Sequence, residues 1–268
     1  MGNLITVGAG FLLASKGVID IGLFFATLIG LAFIMASGCV FYYFFDRQID
    51  KKMDRTKERA LVTGLISGRN AIVFAIALCI VGNLVLLSYT NFLTTLVAGF
   101  GFFVYVFLYS LWKSRTIYGT AIGSVAGAIP PVVGYCAVSN HFDTGALILF
   151  SMMVLWQMPH FFSIAVYHLK DYSAAGLPVL PLKKGMLRTK VHMVIYIAAF
   201  ILTSMMLTLF QYTGTAYLVV ATLIGLAWLG LCLKGFNSEN DQVWGYKMFR
   251  LSLVLIIAIC IAIPLDIV

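Results

Sequence analysis

Three aspartates recur every four residues where a long hydrophobic run ends. Asp46, Asp50 and Asp54 follow the uncharged stretch 21–45, and one α-helix continuing through them would place their carboxylates on a shared face. Basic side chains alternate with these aspartates, at Arg47, Lys51, Lys52, Arg55, Lys57 and Arg59. Carboxylate oxygens are ligands that Mg²⁺ prefers, and nearby cations bind phosphate groups. The pattern therefore predicts a metal site at the three aspartates and diphosphate chemistry at a membrane surface.

A second polar cluster interrupts a later hydrophobic run. Trp156, Gln157 and His160 lie within that run, and Lys170 and Asp171 follow near its end. An imidazole is a common axial ligand of haem iron, and a lysine binds phosphate as a point charge. The alternative is that a lone histidine inside a membrane only packs within a helix bundle. Because Gln157 and His160 occur together, we favour a binding role.

Aromatic residues accompany both polar clusters. Tyr42 and Tyr43 precede the first aspartate, and Phe161 and Phe162 follow His160. Such rings can line a pocket for an isoprenoid chain or a flat ring, and they can shield a carbocation by cation–π attraction. Aromatic residues also pack bundles and form interfacial belts. The sequence leaves both roles open.

The composition indicates a membrane protein. The 268-residue chain is 62% hydrophobic and 10% charged, whereas soluble domains carry about 25% charged residues. Many hydrophobic runs are long enough to cross a bilayer. We predict an all-α polytopic protein in which residues 1–268 form a single bundle domain. The predicted spans are 2–15, which is short, and 21–45, 71–89, 92–112, 117–138, 145–168, 192–212, 215–233 and 248–266.

The basic residues predict the orientation of the bundle. The net charge is +8, but its distribution does not indicate nucleic acid as a partner. Every Lys and Arg except Lys16 lies in or beside a loop that follows an even-numbered span. Two of these loops, 46–70 and 169–191, are long. The positive-inside rule places these loops and the N-terminus in the cytoplasm.

At these residues the chain resembles the UbiA superfamily of intramembrane prenyltransferases. The similarity runs in order through nearly the whole chain, although the family's N-terminal lead is missing, so we expect a short or truncated first helix. The matching segments are GFLLASKG (10–17), ASGCVF (36–41), DRQIDKKMDRTKERALVTGLIS (46–67), LYSLW (108–112), YGTAIGS (118–124), PPVVGYCAV (130–138), WQMPH (156–160) and KDYSAAGLPVLP (170–181).

The resemblance implies a nine-helix bundle around a central cavity that opens to cytoplasmic loops containing aspartates. It implies that Asp46 and Asp50 coordinate Mg²⁺ bound to farnesyl diphosphate, and that Asp171 belongs to a second metal-binding loop. His160 matches a position suited to a porphyrin. The residues implied to neutralise the diphosphate are Arg55, Arg59 and Lys170.

The resemblance also implies the reaction and its setting. The farnesyl group of farnesyl diphosphate would pass to a vinyl group of haem B in a bacterial inner membrane, in connection with the assembly of haem-copper terminal oxidases. An alternative is a different aromatic acceptor, such as a quinone precursor, although segments 156–160 and 170–181 favour haem. A non-catalytic haem-handling protein or transporter would account for Gln157 and His160 but not for the repeated aspartates.

The chain departs from the family pattern at Tyr42 and Tyr43, where relatives carry asparagine. An asparagine amide can orient a phosphate oxygen or a metal-bound water, whereas a phenol offers one hydroxyl and a bulky ring. Without compensation, the change should weaken diphosphate binding. We therefore expect restoration of asparagine at both positions to raise turnover.

Overall fold

The computed structural model describes residues 2–268, and its regular structure is helical. Strand pairing within that range is limited to one isolated bridge between Thr213 and Ile267. A π-helical segment, Val104–Tyr109, and a short 3₁₀ turn, Gly235–Asn237, interrupt the α-helices. The α-helices are α1 Gly2–Ser15, α2 Ile21–Asp50, α3 Ala60–Thr63, α4 Gly68–Tyr89, α5 Phe92–Phe103, α6 Ser110–Trp112, α7 Gly119–Gly127, α8 Ile129–Ser139, α9 Thr144–Tyr167, α10 Leu169–Ala174, α11 Leu180–Lys184, α12 Met186–Leu209, α13 Thr215–Lys234 and α14 Asp241–Leu265.

Eight helical segments within residues 2–268 are long and apolar enough to cross a membrane. Three of them are composite: α5 continues through the π-helical segment to α6, α7 continues into α8, and α13 continues into the 3₁₀ turn. Together with the short apolar helix α1, they match the nine predicted helices. Large apolar side chains cover much of the outer surface, as expected where lipid replaces water as the solvent.

Small residues allow the helices to approach closely, which is the usual packing device in lipid. α2 and α4 meet at Gly30 and Gly82, and a Cβ on Gly30 would lie 2.6 Å from a methyl carbon of Leu86. α1 meets α8 at Gly134, where a Cβ would lie 2.9 Å from the Phe11 nitrogen. Larger side chains at these glycines would push the helices apart.

The helix that lines the centre of the bundle is broken. α7 ends at Gly127 and α8 begins at Ile129, with Pro130 and Pro131 in the first turn of α8. Proline lacks an amide hydrogen and its ring collides with the preceding turn. The two prolines therefore explain the break, which leaves Gly127 and Pro130 facing a cavity.

Polar side-chain contacts distinguish the two ends of the bundle. At one end, Lys113 contacts Asp46, and Lys190 of α12 donates to Asp241 of α14 over 2.5 Å. The opposite end is closed by different contacts, including a 2.7 Å bond from the Tyr217 amide to Asp266. The long loops after α2 and α9 lie at the first end, as the sequence predicted.

Candidate active site

Two aspartates on α2 form the acidic part of the site. Asp46 and Asp50 lie one turn apart at the end of α2 and are only 3% and 2% exposed. Thr56, itself buried, folds back so that its hydroxyl donates to the Asp50 carbonyl over 3.0 Å. This bond satisfies one of the free carbonyls that end a helix. The predicted pairing of these two carboxylates on one helix face is therefore present in the structure.

The expectation that the helix continues to Asp54 is wrong. α2 ends at Asp50, and the chain turns before Asp54, whose side chain is 88% exposed. There Asp54 accepts a 2.8 Å hydrogen bond from Lys57. The four-residue spacing places side chains on one face only while the helix continues. Because the helix ends at Asp50, the spacing does not place Asp54 beside Asp46 and Asp50.

Each buried aspartate already contacts one basic side chain. Arg59 donates from Nη1 to Asp50 Oδ2 over 2.8 Å, and its guanidinium lies 4.4 Å from the centre of the Tyr43 ring. The Lys113 ammonium contacts the carboxylate of Asp46. Each buried carboxylate thus has a basic partner, and an unpaired buried charge would be very costly.

Lys113 is a site residue that the sequence analysis missed. Its side chain is only 9% exposed. Besides Asp46, its ammonium contacts the Tyr42 hydroxyl at 2.7 Å and lies 4.0 Å from the centre of that ring. The available signal was its position as a lone lysine directly after an apolar span.

Tyr42 belongs to a cluster of three nearly parallel tyrosine rings, the tyrosine cluster. Tyr42 stacks on Tyr105 and Tyr109 with centroid distances of 5.5 and 5.9 Å, and Tyr105 stacks on Tyr109 at 5.7 Å. The last two rings come from the π-helical segment, a distortion that often accompanies functional sites. Gly123 makes room for them, since a Cβ there would lie 3.0 Å from the Tyr109 ring. The tyrosine cluster contacts Lys113 through Tyr42 and reaches the cavity through Tyr105.

A cavity of about 360 Å³ occupies the centre of the bundle. Its wall is mainly apolar, with Leu31, Ile34 and Phe102 among its members. The polar residues predicted for cofactor or substrate binding, Gln157 and His160, also line it, together with Trp156. An apolar chamber with few polar groups is the usual form of a small-molecule site.

The polar wall of the cavity is held by α14. His160 Nδ1 lies 2.7 Å from the Ser252 hydroxyl oxygen, and Trp156 Nε1 donates to the Ser252 carbonyl over 3.0 Å. The His160 and Trp156 rings stack with centroids 4.7 Å apart and planes 19° apart. Among residues 2–268, the carbonyl oxygen of the Gln157 side chain is the buried side-chain oxygen without a hydrogen-bond partner. A Cβ on Gly127 would overlap that amide.

The second loop lies beside the first but does not complete a metal site in the structure. Asp171 Oδ2 contacts His168 Nδ1 at 3.5 Å, and Lys170 is exposed. Burial, together with the positive charge of Arg55, lowers the pKa of His168, and Asp171 partly opposes this. Burial raises the pKa of Tyr172, and the positive charge of Arg55 opposes this shift. Arg55 of the first loop is therefore close enough to influence groups of the second.

The predicted metal ligands thus fall into three places. Asp46 and Asp50 are together, Asp54 pairs with Lys57, and Asp171 pairs with a histidine. Within the described range 2–268, no three His, Cys, Asp or Glu side chains form a group that could hold a metal ion. The described residues therefore do not by themselves provide a complete set of metal ligands.

A family model described as the UbiA prenyltransferase family matches residues 3–254. This chain belongs to the UbiA prenyltransferase family. The predicted resemblance and all-α fold are both confirmed. Two curated relatives are each named protoheme IX farnesyltransferase. The one from Protochlamydia amoebophila (strain UWE25) is 59% identical, covering 100% of this chain and 95% of its own length. The one from Serratia proteamaculans (strain 568) is 52% identical, covering 99% and 90%.

Solved structures of UbiA proteins share the fold of this family member. A structure described for digeranylgeranylglyceryl phosphate synthase has a TM-score of 0.82 at 18% identity and covers 98% of this chain and 92% of its own. A UbiA homolog from Archaeoglobus fulgidus bound to DMAPP and Mg²⁺ has a TM-score of 0.71 at 16% identity, covering 95% and 94%. At such identities the similarity concerns the fold alone.

Proposed function

We propose that this prenyltransferase transfers the farnesyl group of farnesyl diphosphate to a vinyl group of haem B, which gives haem O. One arrangement carries the proposal: the pairs Asp46–Lys113 and Asp50–Arg59 lie at one end of the bundle, and the tyrosine cluster connects Lys113 with an apolar cavity that His160 also lines. Relatives that match the full chain at 52–59% identity carry the corresponding name.

Asp46 and Asp50 are the proposed ligands of Mg²⁺. Mg²⁺ keeps several waters and is usually bound by one or two carboxylates together with substrate phosphates, so it needs no protein cage. Two buried carboxylates one turn apart fit that requirement. When bound, Mg²⁺ would supply positive charge to the diphosphate oxygens. Asp54 and Asp171 stay predictions, since their present partners are Lys57 and His168.

Basic side chains around this pair are proposed to bind the diphosphate. Lys113 and Arg59 already contact the two aspartates. Arg55 and Lys170 are exposed on the two adjoining loops, where they are free to approach a phosphate. Fixed cations stabilise the negative charge that develops on a leaving diphosphate, and this stabilisation is larger where water is excluded.

The reaction forms an allylic cation that must be protected from bulk water until it meets the vinyl group. The bond between farnesyl C1 and the diphosphate oxygen breaks, the electron pair leaves with the diphosphate, and the terminal vinyl carbon bonds to C1. The new cation at the inner vinyl carbon takes up a water molecule, which then releases one proton. The stacked faces of Tyr42, Tyr105 and Tyr109 attract the positive charge. The unpartnered Gln157 oxygen offers an acceptor for a water in the cavity.

The proposed orientation follows from charge. Apart from Lys16, the lysines and arginines lie at the end of the bundle that carries Asp46 and Asp50, or in its loops. The positive-inside rule assigns this end to the cytoplasm. In a bacterial inner membrane, a charged farnesyl diphosphate would then enter from the aqueous side, and the apolar acceptor would enter from the bilayer.

Haem extraction from whole cells tests the function. The full chain is expressed in a bacterium that lacks haem O synthase. The extracted haems are separated by chromatography and identified by mass spectrometry. We expect a farnesylated haem with the native chain and with Asp54→Ala, and only haem B with Asp50→Ala. Haem B alone from the native chain, present and folded in the membrane, would refute the proposal. Prenylation of another aromatic compound would identify a different acceptor.

A further inference from the structure

We infer that His160 binds the iron of haem B through Nε2, and that Ser252 is the positioning residue that fixes the imidazole in the required tautomer. The inference deepens the proposed function, since it takes haem as the molecule in the cavity. It concerns how the acceptor is held and oriented.

The proton on Ser252 decides the tautomer. The hydroxyl oxygen lies 2.6 Å from the Phe249 carbonyl oxygen and 2.7 Å from His160 Nδ1. A carbonyl oxygen can only accept, so the single hydroxyl proton must lie toward Phe249; two oxygens this close with no proton between them would repel. Ser252 therefore accepts from His160, which carries its proton on Nδ1. Nε2 is left with a free lone pair.

Since His160 lines the cavity and Ser252 occupies Nδ1, Nε2 is the ring nitrogen left for a ligand there. His160 is only 8% exposed and lines the cavity, and the hydrogen bond that its ring makes within residues 2–268 is the one to Ser252. Stacking on Trp156 fixes the plane of the imidazole, and the ring of Phe249 lies 5.3 Å away on α14. Ser252 contacts both the His160 and the Trp156 rings, since its hydroxyl bonds to His160 and its carbonyl accepts from Trp156.

This is the arrangement expected of an iron ligand. A histidine that binds a metal nearly always donates its other ring N–H to a fixed acceptor, which sets the tautomer and raises ligand basicity. Histidine is also the most common axial ligand of haem iron. Cys39 lines the same cavity and offers an alternative iron ligand on α2, so it must be tested in parallel.

Haem-binding spectroscopy tests the inference on the purified full chain in lipid nanodiscs. Ferric haem B is titrated into the native protein and the variants His160→Ala, Ser252→Ala, Ser252→Thr and Cys39→Ser. Absorption spectra report the axial ligand and the affinity, and resonance Raman spectra of the reduced complex report the iron–imidazole bond. Metal-free protoporphyrin IX is titrated as the probe that lacks iron.

Ser204 provides the matched control. Like Ser252 it is fully buried and donates to the carbonyl three residues earlier, at 2.7 Å, but it makes no bond to a histidine. The Ser252→Ala substitution keeps the backbone carbonyl that Trp156 uses, so any effect belongs to the hydroxyl. Ser204→Ala should lose a similar intrahelical bond without touching the cavity.

We expect an imidazole-ligated spectrum from the native protein that His160→Ala abolishes and added imidazole restores. Ser252→Ala should weaken haem B affinity by about tenfold and shift the iron–imidazole band, and Ser252→Thr should restore both. Affinity for protoporphyrin IX should change little in any variant. Ser204→Ala and Cys39→Ser should leave the native spectrum unchanged.

Two results would overturn the inference: an imidazole-ligated spectrum that persists in His160→Ala, or identical spectra and affinities for Ser252→Ala and Ser204→Ala. Imidazole rescue shows that the His160→Ala protein is folded around an open site. Whole-cell haem analysis is scored separately. Farnesylated haem without His160 ligation would refute only this inference, and His160 ligation without farnesylated haem would refute only the proposed function.

Discussion

The ammonium of Lys113 contacts the carboxylate of Asp46 across 67 positions of sequence. The lysine stands directly after α6, the aspartate lies in the last turns of α2, and both side chains are almost fully buried. The same ammonium contacts the Tyr42 hydroxyl. A cation, a carboxylate and an aromatic hydroxyl therefore meet at the end of the cavity where diphosphate is proposed to bind.

Replacing Lys113 should impair the enzyme more than its fold. Lys113→Met removes the cation proposed to contact the diphosphate, so we expect kcat/KM for farnesyl diphosphate to fall by about 100-fold. Lys113→Arg should recover part of the activity because the charge remains. Steady-state kinetics with reconstituted protein measures both. Lys16→Met, a change of the same kind at the opposite end of the bundle, is the control, and a native KM and kcat in Lys113→Met would contradict the assignment.

The need for Mg²⁺ should distinguish the buried aspartates from the exposed one. Asp46→Asn and Asp50→Asn each remove a proposed ligand, so the Mg²⁺ concentration for half-maximal activity should rise at least tenfold. Asp54→Asn should behave like the native protein, because Asp54 lies off the helix. Activity is measured after chelation and stepwise return of Mg²⁺. An equal Mg²⁺ requirement in all three variants would show that the site lies elsewhere.

The sequence predicted what is local and missed what depends on distant contacts. Hydropathy is a local signal, so it located the apolar helices. The end of α2 depends on a fold-back by Thr56, which periodicity does not report, and Asp54 was therefore misplaced. The partner of Lys113 lies on another helix, so no spacing within one segment could indicate it.

Tyr42→Asn should lower turnover, in contrast to the gain expected from sequence alone. The Tyr42 hydroxyl accepts a hydrogen bond from Lys113 and its ring belongs to the tyrosine cluster, contacts that would compensate for the absent asparagine. Tyr42→Phe loses only the hydroxyl, so we expect about a tenfold decrease in kcat/KM, and Tyr42→Asn should decrease it further. Tyr118→Phe, an exposed tyrosine, is the control. Higher turnover in Tyr42→Asn would support the original expectation.

Gly127→Ala should disturb the cavity wall through Gln157. The added methyl group would overlap the Gln157 amide, and overpacking of this kind costs about 1–3 kcal/mol. We expect a lower unfolding temperature and weaker haem binding. Gly99→Ala is the matched control, since a Cβ there meets nothing within 4 Å.

A second substitution shows whether the effect passes through this contact. Gln157→Ala removes the amide, so the double variant Gly127→Ala/Gln157→Ala should be more stable than Gly127→Ala alone. Thermal unfolding in detergent measures all four proteins of this cycle. Additive losses of stability would mean that the glycine acts independently of Gln157.

The buried pair between α12 and α14 should contribute measurably to stability. Lys190 donates to Asp241 over 2.5 Å, its side chain is 8% exposed, and its ammonium lies 5.2 Å from the centre of the Trp244 ring. Lys190→Met leaves Asp241 without its cation. Because that carboxylate is 33% exposed, water offsets part of the loss, and we expect about 1–3 kcal/mol of destabilisation. Lys57→Met breaks the exposed pair with Asp54 and should leave the unfolding temperature unchanged. Equal unfolding temperatures for both variants and the native protein would show that the α12–α14 pair adds nothing beyond apolar packing.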